Sequence, residues 1–126
     1  MWHRDWKGPG TNLLTMIAKS LKEITVDQFA DRIILKKADA LVKISSDWNG
    51  ASQILCHTLQ ALAPLYSGKI DFYSLNYNPE SSMSDAYRVD SIPTILFFKK
   101  GTLVDKVSGL THRTIISNKI NQLINS

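Results

Sequence analysis

The chain has 126 residues, 44% of them hydrophobic and 21% charged, with 15 Lys+Arg against 11 Asp+Glu for a net charge of +4. That balance is ordinary for a globular protein and excludes a disordered chain, and the length suits one domain with a short extension. No apolar run approaches the ~20 residues that cross a bilayer, which excludes an integral helical membrane protein.

In chain order, the first ten residues carry Trp2, Trp6 and the breaker cluster Gly8-Pro9-Gly10 and show no periodicity. Leu13, Leu14, Ile17 and Leu21 then fall at helical spacing, so a short amphipathic helix is expected over 12–19. Residues 1–20 are read as a leader with that helix, and 21–126 as the folded domain. The apolar stretch at 13–18 is short for a signal peptide and no small-residue cleavage site follows, so secretion is not expected.

A short strand is expected over 21–24. Thr25 and Gln28 then have capping-box spacing, with Ile24 and Phe29 placed as the hydrophobic staple. Val26, Phe29, Ala30 and Ile33 are expected on the buried face of the helix that follows. Residues 40–44 read as an apolar strand containing one charge, Lys43. After Trp48-Asn49-Gly50, a long helix is expected over 51–66. Its stripe is Leu55, Leu59, Leu62 and Tyr66, widened by Ile54, Ala61 and Leu65, with Pro64 bending or ending its last turn.

Residues 70–77 read as another strand. Asn78-Pro79 has the form of a cap followed by a first-turn proline, opening a short helix through Tyr87. Strands over 94–99 and 103–108, joined at Lys100-Gly101, are expected to pair as a hairpin. Thr111 is the expected cap of a last helix that buries Ile115, Ile116, Ile120, Leu123 and Ile124. The order β-α-β-α-β-α-β-β-α implies an α/β fold, a mixed sheet with helices on both faces.

From Leu21 onward the chain resembles the thioredoxin family. The resemblance rests on the strand 40–45 running to Trp48, on Ser91-Ile92-Pro93-Thr94 with the strand and Gly101 turn after it, and on the spacing to Gly109. It implies a thioredoxin fold with a central mixed sheet of about five strands. It also implies a cis bond at Ile92-Pro93 and a groove in which the backbone before the proline pairs with an extended peptide. Trp48, Gly50, Ala51, Ile92, Pro93 and Gly109 would line that groove.

The active-site motif departs from the family pattern. Where the family has Trp-Cys-Gly-Pro-Cys, this chain reads Trp48-Asn49-Gly50-Ala51-Ser52. Thiol–disulfide exchange needs one thiolate to attack and a second sulfur to release the mixed intermediate; an amide and a hydroxyl do neither. The resemblance also puts Lys43 where the family commonly has a buried acid, and Ser74 where it usually has a lysine. Lys43 is expected to snorkel to the strand end and keep its charge.

Each candidate residue has a plainer reading beside the functional one. Asn49 is a favoured helix N-cap. The free amides of Gly50, Ala51 and Ser52 are suited to an anion but equally to water. Ser52 as a nucleophile lacks a base, since His57 lies roughly 140° further round the helix. His3, His57 and His112 are isolated, so neither a metal nor any other cofactor is expected.

Cys56 is the one cysteine, so no intrachain disulfide can form. It reads as packing one turn past Ser52, the alternative being a single-thiol redox site. A reducing, cytoplasmic setting is expected. Lys36-Lys37 and Lys99-Lys100 are the only adjacent basic pairs in a dispersed set, so neither nucleic acid nor membrane is expected as a partner. The expected function is binding of a protein or peptide segment by a redox-inactive thioredoxin-like domain. The alternatives are a thiol–disulfide oxidoreductase acting through Cys56 and a structural module whose leader makes the contacts.

Overall fold

The computed structural model describes residues 21–46 and 49–126; the expected leader, the helix over 12–19 and Trp48 lie outside them. The elements are β1 (Leu21–Glu23), α1 (Val26–Phe29, continued by π-helical turns over Ala30–Leu35), β2 (Ala40–Ser45) and α2 (Gly50–Leu62, then a 3-10 turn over Ala63–Tyr66). They continue with β3 (Asp71–Asn76), α3 (Ser82–Ala86), β4 (Thr94–Lys99), β5 (Thr102–Ser108) and α4 (Arg113–Asn125). The five strands form one sheet in the order β1-β3-β2-β4-β5. β1 and β2 run parallel to β3, whereas β4 runs antiparallel to both β2 and β5. This is the α/β fold that the resemblance implies.

The core follows from strand alternation. Side chains two apart share a face, so β2 and β4 feed two separate clusters. Leu41, Ile95 and Phe97 meet Leu55, Leu59, Ile116 and Ile120 from α2 and α4. Val42, Ile44, Leu96 and Phe98 meet Phe29, Ile33 and Met83 from α1 and α3. Within the second cluster Phe29, Tyr87 and Phe98 stand edge-to-face, with centroids 5.4–5.8 Å apart. Burial raises the pKa of the Tyr87 phenol, and burial with the nearby Asp71 carboxylate raises that of Tyr73.

Local signals placed several boundaries. The Thr25 hydroxyl accepts from the Gln28 amide at 3.1 Å while the Gln28 side chain accepts from the Thr25 amide at 3.0 Å. Pro64 falls where the α-helix gives way to the tighter turn, as its missing N–H requires. Other expectations are corrected. Val26 and Ala30 are exposed, and so are Ile54, Ala61, Leu65 and Ile115; the buried stripes are narrower than composition implied. In α1 the wider π spacing, including the Ala38 amide on the Ile33 carbonyl, rotates the buried face onto Phe29 and Ile33.

Two caps also differ. Asn78 spends its side chain on the Glu80 amide in a local turn, and Ser81 caps α3 through the Ser84 amide. The cap of α4 is His112 rather than Thr111, its Nδ1 accepting from the Thr114 amide at 3.1 Å.

Candidate functional site

β2 delivers Ser45 and Ser46 to one end of the sheet, and α2 starts there. The Asn49 backbone is extended, and its Oδ1 accepts from the Ser52 amide at 2.8 Å. Its carbonyl takes the Gln53 amide, and its own amide donates to Ser46. Asn49 is therefore engaged as a cap, the plainer of its two readings. Among the described residues nothing accepts from the Gly50 and Ala51 amides. Ser52 is 2% exposed, and its hydroxyl and that of Ser46 are buried without a hydrogen-bond partner. Ser46 was not singled out from sequence; its one signal was a hydroxyl residue at the end of an apolar strand.

β4 brings the second half of the site to the same end. Its first residue, Thr94, pairs with Ile44 on one side and Ser108 on the other. The register therefore sets Pro93 beside the end of β2 and Gly109 beside Pro93. The Ile92-Pro93 bond is cis, and the Gly109 amide donates to the Pro93 carbonyl at 2.7 Å. Gly109 needs its φ of +85° to make that return, a backbone region that costs an L side chain about 1–2 kcal/mol. The Thr94 hydroxyl donates to the Ser91 carbonyl at 2.8 Å and fixes the loop from below. Among the described residues the Ile92 backbone has no hydrogen-bond partner.

Three further candidates are placed by the same elements. Lys43 stands in register between Ser74 and Ile95 on the central strand and is only 5% exposed. Its stem is inside, and its water contact is slighter than the expected snorkelling arrangement. Cys56 is half-buried against the cluster that contains Leu55 and Leu59. His57 is exposed, and His112 is occupied as a cap. Trp48 lies outside the described residues. Among the described residues no three His, Cys, Asp or Glu gather as a metal site, and no helix is long and apolar enough to cross a membrane.

The thioredoxin family model matches residues 20–122, which include all five strands and every helix except the last three residues of α4. The chain belongs to the thioredoxin family. It is 29% identical over 116 residues to a chloroplastic M-type thioredoxin of Pisum sativum, covering 90% of this chain and 67% of that one. A thioredoxin of Chlorobaculum thiosulfatiphilum is 30% identical over 102 residues, 81% of this chain and 94% of that one. A thioredoxin of Porphyra purpurea is 26% identical over 105 residues, 83% of this chain and 98% of that one. The chain spans 59% of a further M-type relative, from Spinacia oleracea. With Cys56 as its one cysteine, this thioredoxin-family chain lacks a CxxC dithiol.

Proposed function

We propose that this thioredoxin-family protein is redox-inactive and binds an extended segment of a partner protein across Ile92, Pro93 and Gly109. One observation carries the reading: the chain has a single cysteine, so it lacks the second sulfur that disulfide exchange needs, and Asn49, which the resemblance puts at the attacking position, is spent on capping α2. What remains at this end is a backbone edge. The amide and carbonyl of Ile92, without a partner among the described residues, would supply the hydrogen bonds of strand addition, and the half-buried Ile92 side chain an apolar contact. By the resemblance, Trp48 would line the same groove, with Gly50 and Ala51 at the start of α2. A chaperone-like or a regulatory role follows from such a surface, and a cytoplasmic, reducing setting suits a chain with one thiol.

The test combines a reductase assay with a binding readout. Insulin reduction in the presence of dithiothreitol should stay at background, with Cys56→Ser indistinguishable from the native chain. Peptides selected from a displayed library should slow hydrogen exchange of the Ile92 amide by about ten-fold or more, as a new backbone hydrogen bond would. Turnover that disappears with Cys56→Ser would replace this reading with single-thiol chemistry. Selected peptides that leave the Ile92 amide unprotected would move the binding surface elsewhere.

A further inference from the structure

We propose that the end of the sheet opposite Pro93 is an electrostatic docking face for an anionic lipid surface. β2 and β3 start at this end, at Ala40 and Asp71, and β4 finishes there at Lys99. A six-residue strand separates it from the Ile92-Pro93 loop by about 20 Å, at ~3.3 Å per residue.

Two lysine pairs that are far apart in sequence meet here. The Gly101 amide donates to the Ala38 carbonyl at 2.9 Å, and the Lys100 amide donates to Asp39 Oδ1 at 2.8 Å. Gly101 approaches so closely that a Cβ would stand 3.0 Å from the Ile34 carbonyl and 3.1 Å from the Lys37 Cα. The segment carrying Lys37 is thereby held against the Lys100-Gly101 turn. Lys69 joins them, since a shallow cleft is lined by Lys37, Lys69 and Lys100 together with Asp39 and Asp71. Asp39 is already engaged by the Lys100 amide and by Lys99 Nζ at 3.5 Å. The dispersed charge expected from linear spacing is corrected: Lys37, Lys69 and Lys100 share one cleft with Asp39 and Asp71, Lys36 adjoins Lys37 in sequence, and Lys99 Nζ is turned inward to the Leu123 carbonyl at 3.0 Å.

Three properties select the partner. Lysine presents a compact hydrated charge without the fork of arginine, which suits a diffuse anionic surface better than one fixed phosphate. No aromatic side chain lines the cleft, so the stacking platform of a single-stranded nucleic-acid site is missing there. Two leucines that stand in water adjoin the lysines in sequence: Leu35, 73% exposed and directly before Lys36, and Leu65, 64% exposed in the turn leading to Lys69. Apolar side chains beside ammonium groups are the combination that enters a headgroup boundary. Lys37 and Lys100 moreover hold left-handed backbone, φ 53° and 52°, where local conformation favours glycine or asparagine over lysine.

Flotation of the full chain with vesicles tests this. The protein should float with phosphatidylcholine vesicles containing phosphatidylserine, remain behind with phosphatidylcholine alone, and release as salt is raised. Lys36→Gln with Lys69→Gln should lower partition about 25-fold, near five-fold for each lysine. Arg88→Gln with Arg113→Gln removes the same charge from segments flanking Pro93 and Gly109 and should change it less than about two-fold. Leu35→Ser should weaken binding several-fold without altering its salt dependence. All five positions are exposed, so circular dichroism should be unchanged. Equal binding to neutral vesicles, or equal loss with the arginine pair, would overturn the proposal. Lysine-dependent binding to duplex DNA with no flotation would make the face a nucleic-acid surface instead.

Discussion

The two ends of the sheet handle polar groups in opposite ways. Around the Pro93 site itself several neutral polar groups are turned inward: the Asn49 carboxamide caps α2, the Thr94 hydroxyl holds the Ser91 carbonyl, and two serine hydroxyls are buried. At the far end they are charged and face water. The difference teaches where a family resemblance has reach. The Pro93 end carries short contiguous motifs, and the lack of a dithiol is readable from a sequence with one cysteine. The lysine end exists only after residues 36–37, 69 and 99–100 have been folded together.

The largest expected effect comes from returning sulfur to the Pro93 end. Asn49→Cys with Ser52→Cys puts two thiols at the start of a 13-residue helix, where unpaired amides favour the thiolate. Insulin reduction should rise from background to steady turnover. Asn49→Cys alone should give none, because a mixed disulfide formed there has no second sulfur to release it. A double variant that forms its disulfide yet stays inert would shift the cause to Lys43, which the resemblance puts where the family commonly has an acid.

Glycines sharpen the comparison between the ends. Gly101 and Gly109 both have left-handed backbone, φ +80° and +85°. At Gly109 a Cβ meets nothing within 4 Å, whereas at Gly101 it would press on the Ile33 and Ile34 carbonyls at 3.1 and 3.0 Å. Gly109→Ala should therefore cost only the backbone term, about 1–2 kcal/mol. Gly101→Ala should cost about twice that, since backbone must also move apart. Urea midpoints at constant m-value would show it. Equal costs would mean that the contact between the 34–38 segment and the β4–β5 turn is looser than its distances imply.

Much of the fold was legible because its signals are local. The Thr25–Gln28 box, the Asn49 cap, the Pro64 break and the Lys100-Gly101 turn each depend on residues within a few positions of one another. What sequence missed required knowing which neighbours a residue would find. Ile54 and Leu65 extend the apolar stripe of α2 on paper, but the sheet contacts only the face carrying Leu55, Leu59 and Leu62. Asn78 was a credible cap until its side chain closed a turn two residues ahead, leaving the role to Ser81. His112 escaped notice because imidazole is not among the usual cap acceptors. Of the candidate groove, Ile92, Pro93 and Gly109 were placed by resemblance. The buried hydroxyl of Ser46 was not, because burial at a strand end depends on tertiary cover.

The smallest expected effect separates capping from binding at Asn49. Its Oδ1 takes one amide, that of Ser52, and its removal leaves that donor to water or unpaired. Asn49→Ala should lower stability by about 1 kcal/mol, while Asn49→Asp, which keeps the acceptor and favours the helix dipole, should stay near the native midpoint. If the amide is only a cap, both variants should bind selected peptides as the native chain does, once corrected for the fraction folded. A loss of peptide binding in Asn49→Asp at full stability would mean instead that the carboxamide N–H₂ itself contacts the ligand. The position that the resemblance gives to the attacking cysteine would then be working as a hydrogen-bond donor in place of a nucleophile.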